Sequence, residues 1–153
     1  MKAIWLDSGK AIGSKELADQ GIPNQSLNAD PQSYQPGLDR LKSDRGYVTQ
    51  DMVAMKPDMP NFDALCAKFV GEHLHTDDEV RFVLAGAGVF EVRSLDDRWM
   101  RIEVSKGDLI VVPANRYHRF TLTQEKTIQC VRLFKDSAGW APIYRESPSA
   151  SVA

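Results

Sequence analysis

The chain has 153 residues, 42% of them hydrophobic and 26% charged, with a formal net charge of −2; it is long enough for one ordinary core and too evenly charged for a nucleic-acid surface. Arg93, Arg98, Arg101, Arg116 and Arg119 make the middle locally positive, but their scatter reads as solvated strand edges. Two cysteines exclude a disulfide framework, and the lack of a long apolar stretch leaves no expected membrane span or signal peptide, so the cytoplasm is the expected location.

In chain order, Lys2 to Leu6 reads as a short strand, and Ser14 to Gln20 as a helix with Glu16 in its first turn and Gly21 at its end. Pro23 to Gly37, with three prolines, reads as loop. Leu38 to Asp44 is a second helical segment that stops at Gly46, and Asn61 to Phe69 a third, with Asn61 as N-cap after Pro60. Within it, Cys66 in F-D-A-L-C-A-K-F is expected to be a buried structural thiol, as is Cys130. Helices are thus confined to the first half, and residues 1–70 read as a helical segment packing on a barrel of residues 71–146, with 147–153 a tail.

From Glu79 onward come short β-rich runs: Glu79 to Ala85, Val89 to Ser94, Trp99 to Val104, Leu109 to Val112, Tyr117 to Thr123 and Thr127 to Phe134. Gly86-Ala87-Gly88, Asp96-Asp97 and Lys106-Gly107-Asp108 are expected hairpin links, and Pro113-Ala114-Asn115 a turn before His118. Such runs predict a mainly β sandwich or barrel.

All three histidines, His73, His75 and His118, fall where one site could gather them, with Glu79 four residues after His75. On a strand, His73 and His75 project from one face and can hold one metal ion. Imidazole suits zinc, iron, nickel and copper, and an added carboxylate shifts the balance towards six-coordinate iron, nickel or manganese with open positions for chemistry. Strand alternation puts Glu79, Arg81 and Val83 on one face and Val80, Phe82 and Leu84 on the other. If the Glu79 face looks inward, Arg81 enters the cavity beside the metal, as an anionic chelated substrate would need; otherwise it is an edge arginine. Phe120 shares the face of His118 as an aromatic wall or as core. Trp140, in S-A-G-W-A-P, would close the mouth or simply pack. Glu72 points away from the metal face and is a candidate for a general base or a support to a ligand, or a solvated acid. Asp77 and Asp78 read as solvent-facing turn residues. No phosphate loop, dinucleotide glycine fingerprint, G-x-S-x-G or C-x-x-C competes.

These residues resemble the cupins. Gly86 sits seven positions after Glu79, as the first cupin motif wants, and Gly107, Pro113 and His118 match the second, with Asn115 for its inner glycine; Ala67 and Leu122 depart from the motif ends. More specifically, E-H-L-H-T-D-D-E-V-R-F-V-L-A-G-A-G-V-F, then G-D-L-I-V-V-P-A-N-R-Y-H-R-F and V-R-L-F-K-D-S-A-G-W, resemble the acireductone dioxygenases of methionine salvage over about Gly46 to Ile143. Gly46-Tyr47 and Asp51 resemble that family's helical preamble. The resemblance implies a single cupin domain, a double-stranded β-helix or jelly-roll barrel with a few N-terminal helices. It implies His73, His75, Glu79 and His118 as ligands of one Fe2+ or Ni2+, Arg81 facing the substrate enolate, and Phe69, Phe120 and Trp140 as pocket walls. The implied substrates are the methylthio acireductone and dioxygen. The iron form would yield 4-methylthio-2-oxobutanoate and formate, the nickel form methylthiopropionate, formate and carbon monoxide. A monomer is expected, with no nucleic-acid or membrane partner. Another small-molecule cupin enzyme and a non-catalytic metal-binding cupin stand as alternatives, and Arg81 with Trp140 discriminates against the first.

Overall fold

The computed structural model describes residues 1–135 and 141–145; Trp140 and the expected tail lie outside the described residues. The elements are β1 (Lys2–Trp5), α1 (Ser14–Asp19), β2 (Asn24–Ser26), α2 (Pro31–Arg45), β3 (Thr49–Met55), α3 (Phe62–Val70), β4 (His73–Leu74), β5 (Glu79–Arg93), β6 (Trp99–Ser105), β7 (Asp108–Val112), β8 (His118–Leu122), β9 (Ile128–Phe134) and β10 (Ile143–Tyr144). Among the described residues no helix is long and apolar enough to cross a membrane.

Strand β5 decides the architecture. Its first half lies between β7 and β9, its second half between β6 and β8, all antiparallel. One strand therefore belongs to two sheets, ordered β2-β7-β5-β9-β3 and β1-β6-β5-β8-β4-β10. The expected hairpin at Gly86-Ala87-Gly88 is absent, because these residues continue β5 through a bend. A register shift between Val83 and Ala85 marks the bulge, and Gly86 follows at φ +76°. Glycine is required twice here. A Cβ on Gly86 would collide with the Thr127 carbonyl oxygen, and one on Gly88 would meet the Phe120 ring. The Lys106-Gly107-Asp108 link is not a hairpin either, since β6 and β7 lie in different sheets and the turn carries the chain across.

Further expectations fail in the first half. The proline-rich stretch expected as loop holds β2 and the start of α2. Asp30 is extended, Pro31 takes the first helical position, where its missing N–H is not needed, and Tyr34 and Leu38 bury themselves under the sheet. Only Pro36 lies inside the helix, where it removes one backbone bond. The stretch around Asp51, compared with a helical preamble, is strand β3, paired along its length with β9, while Gly46 ends α2 in a left-handed cap at φ +79°. Asn61 does precede α3, but from left-handed backbone and without a capping bond. No residue of α3 is fully buried, so Cys66 is half-buried rather than core.

The alternation along β5 holds. Val80 and Phe82 join Leu109, Val111, Val131 and Leu133 in an outer core under α2, where Phe82 meets Tyr34 edge to face at 5.0 Å. Val83, on the opposite face, packs with Phe90, Phe120, Ile128 and Cys130 in the inner core. The inner faces of the two sheets enclose the space that holds the histidines.

Candidate metal centre

His73 and His118 are Cα partners on the antiparallel pair β4 and β8, so both rings stand on one face. Their centroids are 4.5 Å apart, and His75 lies 5.1 and 5.3 Å from them. One nitrogen of each ring lies within 4.8 Å of those of the other two. Two donors each about 2.1 Å from one ion lie about 3 Å apart at a right angle, so the three nitrogens would draw inward around a bound ion.

Local backbone sets which nitrogen is offered. Nδ1 of His73 is 2.7 Å from the Gly71 carbonyl oxygen, and Nδ1 of His118 is 2.9 Å from that of Arg116. A carbonyl only accepts, so both Nδ1 atoms carry hydrogen and both Nε2 lone pairs face the cavity. Glu79 closes the set: its Oε2 lies 2.7 Å from Nε2 of His118 and 3.9 Å from Nε2 of His75. The short contact is out of line for a hydrogen bond, and among the described residues neither Oε2 of Glu79 nor Nε2 of His118 has a hydrogen-bond partner. Two buried lone-pair atoms aimed at the same place repel unless a cation joins them, so the donors fit a metal ion.

The electrostatics agree. Burial holds His73 and His75 below the ordinary histidine range, which keeps them neutral and ready to coordinate. Burial alone would raise the Glu79 carboxyl, but the Arg81 guanidinium beside it outweighs that and holds it well below the carboxylate range. Arg81 donates no ligand. One of its terminal nitrogens lies 3.0 Å from Oε1 of Glu79, so it pins that oxygen and leaves Oε2 to the histidines.

The cavity has two parts. Beside the donors it is lined by Phe69, His73, His75, Glu79, Arg81 and Arg132. An adjoining apolar chamber of about 280 Å³ runs past Glu79 and Arg81 to Val53, Met55, Leu65, Phe90, Phe120 and Ile128. Phe69 and Phe120 meet edge to face at 6.1 Å on its wall. Cys130 also lines it, with its thiol pushed up to about 11 by burial.

Glu72, a candidate base from the sequence, does not join the histidines. Its carboxylate bonds to Arg93 at 2.9 Å and to Arg145 at 3.0 Å, on the far face of β4. Although burial raises it, these two guanidiniums hold it below the ordinary range, which makes it a poor proton acceptor. Asp78, expected to face solvent, is largely buried and accepts hydrogen bonds from Tyr47, Arg45 and the Ala114 amide. Asp77 accepts from the Lys135 amide. The sequence reading also missed Arg132, which faces the cavity beside Arg81 and is clasped by Asp51, Nε to Oδ1 at 2.7 Å. Its one signal was period: in I-Q-C-V-R-L-F, Arg132 follows Ile128 and Cys130 on the inward face.

The comparisons with known proteins agree with this geometry. A protein of Heterostelium pallidum named acireductone dioxygenase is 43% identical over 145 residues, 95% of this chain and 98% of its own length. One of Ixodes scapularis with the same name is 42% identical over 92% of this chain and 78% of its own. Among solved structures, an acireductone dioxygenase from Bacillus anthracis with a cadmium ion in its active centre superposes with a TM-score of 0.87 at 28% identity, over 94% of this chain and 97% of that one. With the ARD/ARD' family profile matching residues 6–142, through both histidine-bearing segments and the bent strand between them, the chain belongs to the ARD/ARD' family.

Proposed function

We propose that this chain is an acireductone dioxygenase of methionine salvage, with His73, His75, Glu79 and His118 as the ligands of one Fe2+ or Ni2+. The observation that carries the reading is the convergence of four buried donors at the edge of an apolar chamber, with a guanidinium facing the same space. When bound, the metal supplies Lewis acidity and a template for the enediolate and dioxygen. The rest is the work of the protein. Arg81 keeps Glu79 oriented and offsets the negative charge of the enediolate, and Arg132 adds a second cation to the same wall. Phe69 and Phe120, with Val53, Met55 and Ile128, form a surface that takes the methylthio tail and excludes water from the reacting end. Glu72 moves no proton in this reading. Trp140, by family resemblance, would complete the wall.

Three imidazoles and a carboxylate suit both metals, and affinity trends favour nickel over iron at equal supply. The chain acts as a monomer in the cytoplasm in this reading. Metal-free chain loaded anaerobically with Fe2+ and given acireductone and oxygen is expected to release formate and the keto acid, and the Ni2+ form to release carbon monoxide. Loaded chain that consumes neither substrate overturns the reading.

A further inference from the structure

We propose that Asp78 is the positioning residue of the metal centre: its carboxylate, held by Tyr47 and Arg45, fastens the segment that bears His75 and Glu79 to the turn that leads to His118. This rests on the metal-centre reading above and concerns how the ligands come to be arranged before a metal arrives.

The four ligands come from two stretches that are far apart in sequence. Only Thr76, Asp77 and Asp78 separate His75 from Glu79, and only Arg116 and Tyr117 separate the turn at Ala114 and Asn115 from His118. Two hydrogen bonds join these stretches. The Ala114 amide donates to Oδ1 of Asp78 at 2.8 Å, and the Asn115 amide donates to the His75 carbonyl at 2.7 Å. Asn115 takes left-handed backbone at φ +64°, a conformation asparagine tolerates in a tight turn. Thus one ligand, His75, and the immediate neighbour of another, Glu79, are bonded to the turn that introduces a third.

The other carboxylate oxygen of Asp78 reaches outward. Tyr47 donates its hydroxyl to Oδ2 at 2.6 Å, Arg45 donates to the same oxygen at 3.1 Å, and Nε of Arg45 donates to the Tyr47 oxygen at 3.0 Å. Tyr47 is buried in the outer core and follows the glycine that ends α2. The brace therefore runs from the packed helix outside the barrel, through one carboxylate, to both ligand-bearing stretches. A ligand set held this way does not have to be ordered when the ion binds, so the brace acts mainly on metal affinity and on the rate of metal loss.

The experiment titrates metal-free full-length chain with Ni2+ and measures its release into excess chelator, for the wild type, Asp78→Asn and Tyr47→Phe. Asp78→Asn is expected to weaken affinity about 10- to 100-fold, chiefly through faster release. Tyr47→Phe, which removes one hydroxyl and keeps the fold, is expected to show a smaller loss in the same direction. The gap in melting temperature between loaded and metal-free chain should narrow in step. If both variants melt lower but bind and release Ni2+ like the wild type, the brace is merely structural and the proposal is overturned. A wild type that takes up no metal overturns the metal-centre reading and the brace with it.

Discussion

The two faces of the β2-β7-β5-β9-β3 sheet are made by the same strands and do opposite work. Outward, Val80, Phe82, Leu109, Val111, Val131 and Leu133 are at most 1% exposed and lie under α2. Inward, one residue along, the same strands carry Glu79, Arg81, Arg132 and Asp51, with Asp51 opposite Arg132 and Arg132 opposite Arg81 in register. The outer face supplies burial, at about 25 cal/mol per Å² of apolar area removed from water. The inner face spends stability, because its charges are desolvated and only their mutual pairing offsets that cost. Chemistry sits on a face that a fold alone would not choose, and the apolar side behind it holds it in place.

Substitutions that separate the faces test this. In the cavity, where the inner face of this sheet meets the histidines of the other, His118→Ala is expected to abolish both metal uptake and turnover while circular dichroism still reports the sheets; near-wild-type metal content by elemental analysis would dissolve the distinction. On the outer face, Phe82→Ala is expected to cost ~3–5 kcal/mol in denaturant unfolding yet to leave metal content and turnover per folded chain intact. A loss of metal at unchanged stability would mean that the two faces are not separable. Arg81→Ala should keep the metal and lower kcat/KM by about 10²–10³-fold, since its charge acts on substrate without coordinating. Unchanged kinetics would remove it from the site.

Acid also acts on the histidines that face this sheet across the cavity. Burial holds His73 and His75 below their ordinary value of 6.5, so the unfolded chain takes up protons first. Their contribution is whole above that pH and is lost as pH falls below it towards the lowered values. Metal retained after dialysis should therefore be full at pH 7.5 and drop in the acid window below 6.5, whereas loss on raising the pH would reverse the sign and refute the account. The smallest effect is expected at Glu72, whose partly exposed pairs with Arg93 and Arg145 are worth about 0–1 kcal/mol. Glu72→Gln should change kcat/KM less than about tenfold, and a drop of several hundredfold would restore it as a base.

Much of the site was legible because its signals are local. His73 and His75 two apart, Glu79 and Arg81 two apart, and Phe120 two after His118 need only the pleat of a strand to share a face, and each pair does so. Reading failed where the same local signal has two tertiary outcomes. Gly86-Ala87-Gly88 suits a hairpin as well as a bent strand, and only the close approach of Thr127 and Phe120 selects the bend. Pro31 looked like a loop residue until Tyr34 and Leu38 had an apolar sheet to cover.

The sequence by itself determined the mainly β class, the candidate donors and which face of β5 turns inward, because alternation and donor chemistry are properties of neighbouring residues. Only the tertiary structure decided that β5 is one strand in two sheets, that Arg132 meets Asp51 across 81 positions, that Asp78 meets Ala114 across 36, and that Glu72 is taken by Arg145 across 73. Such contacts form after the intervening chain has closed, and no local propensity records which of many distant charges will be brought alongside.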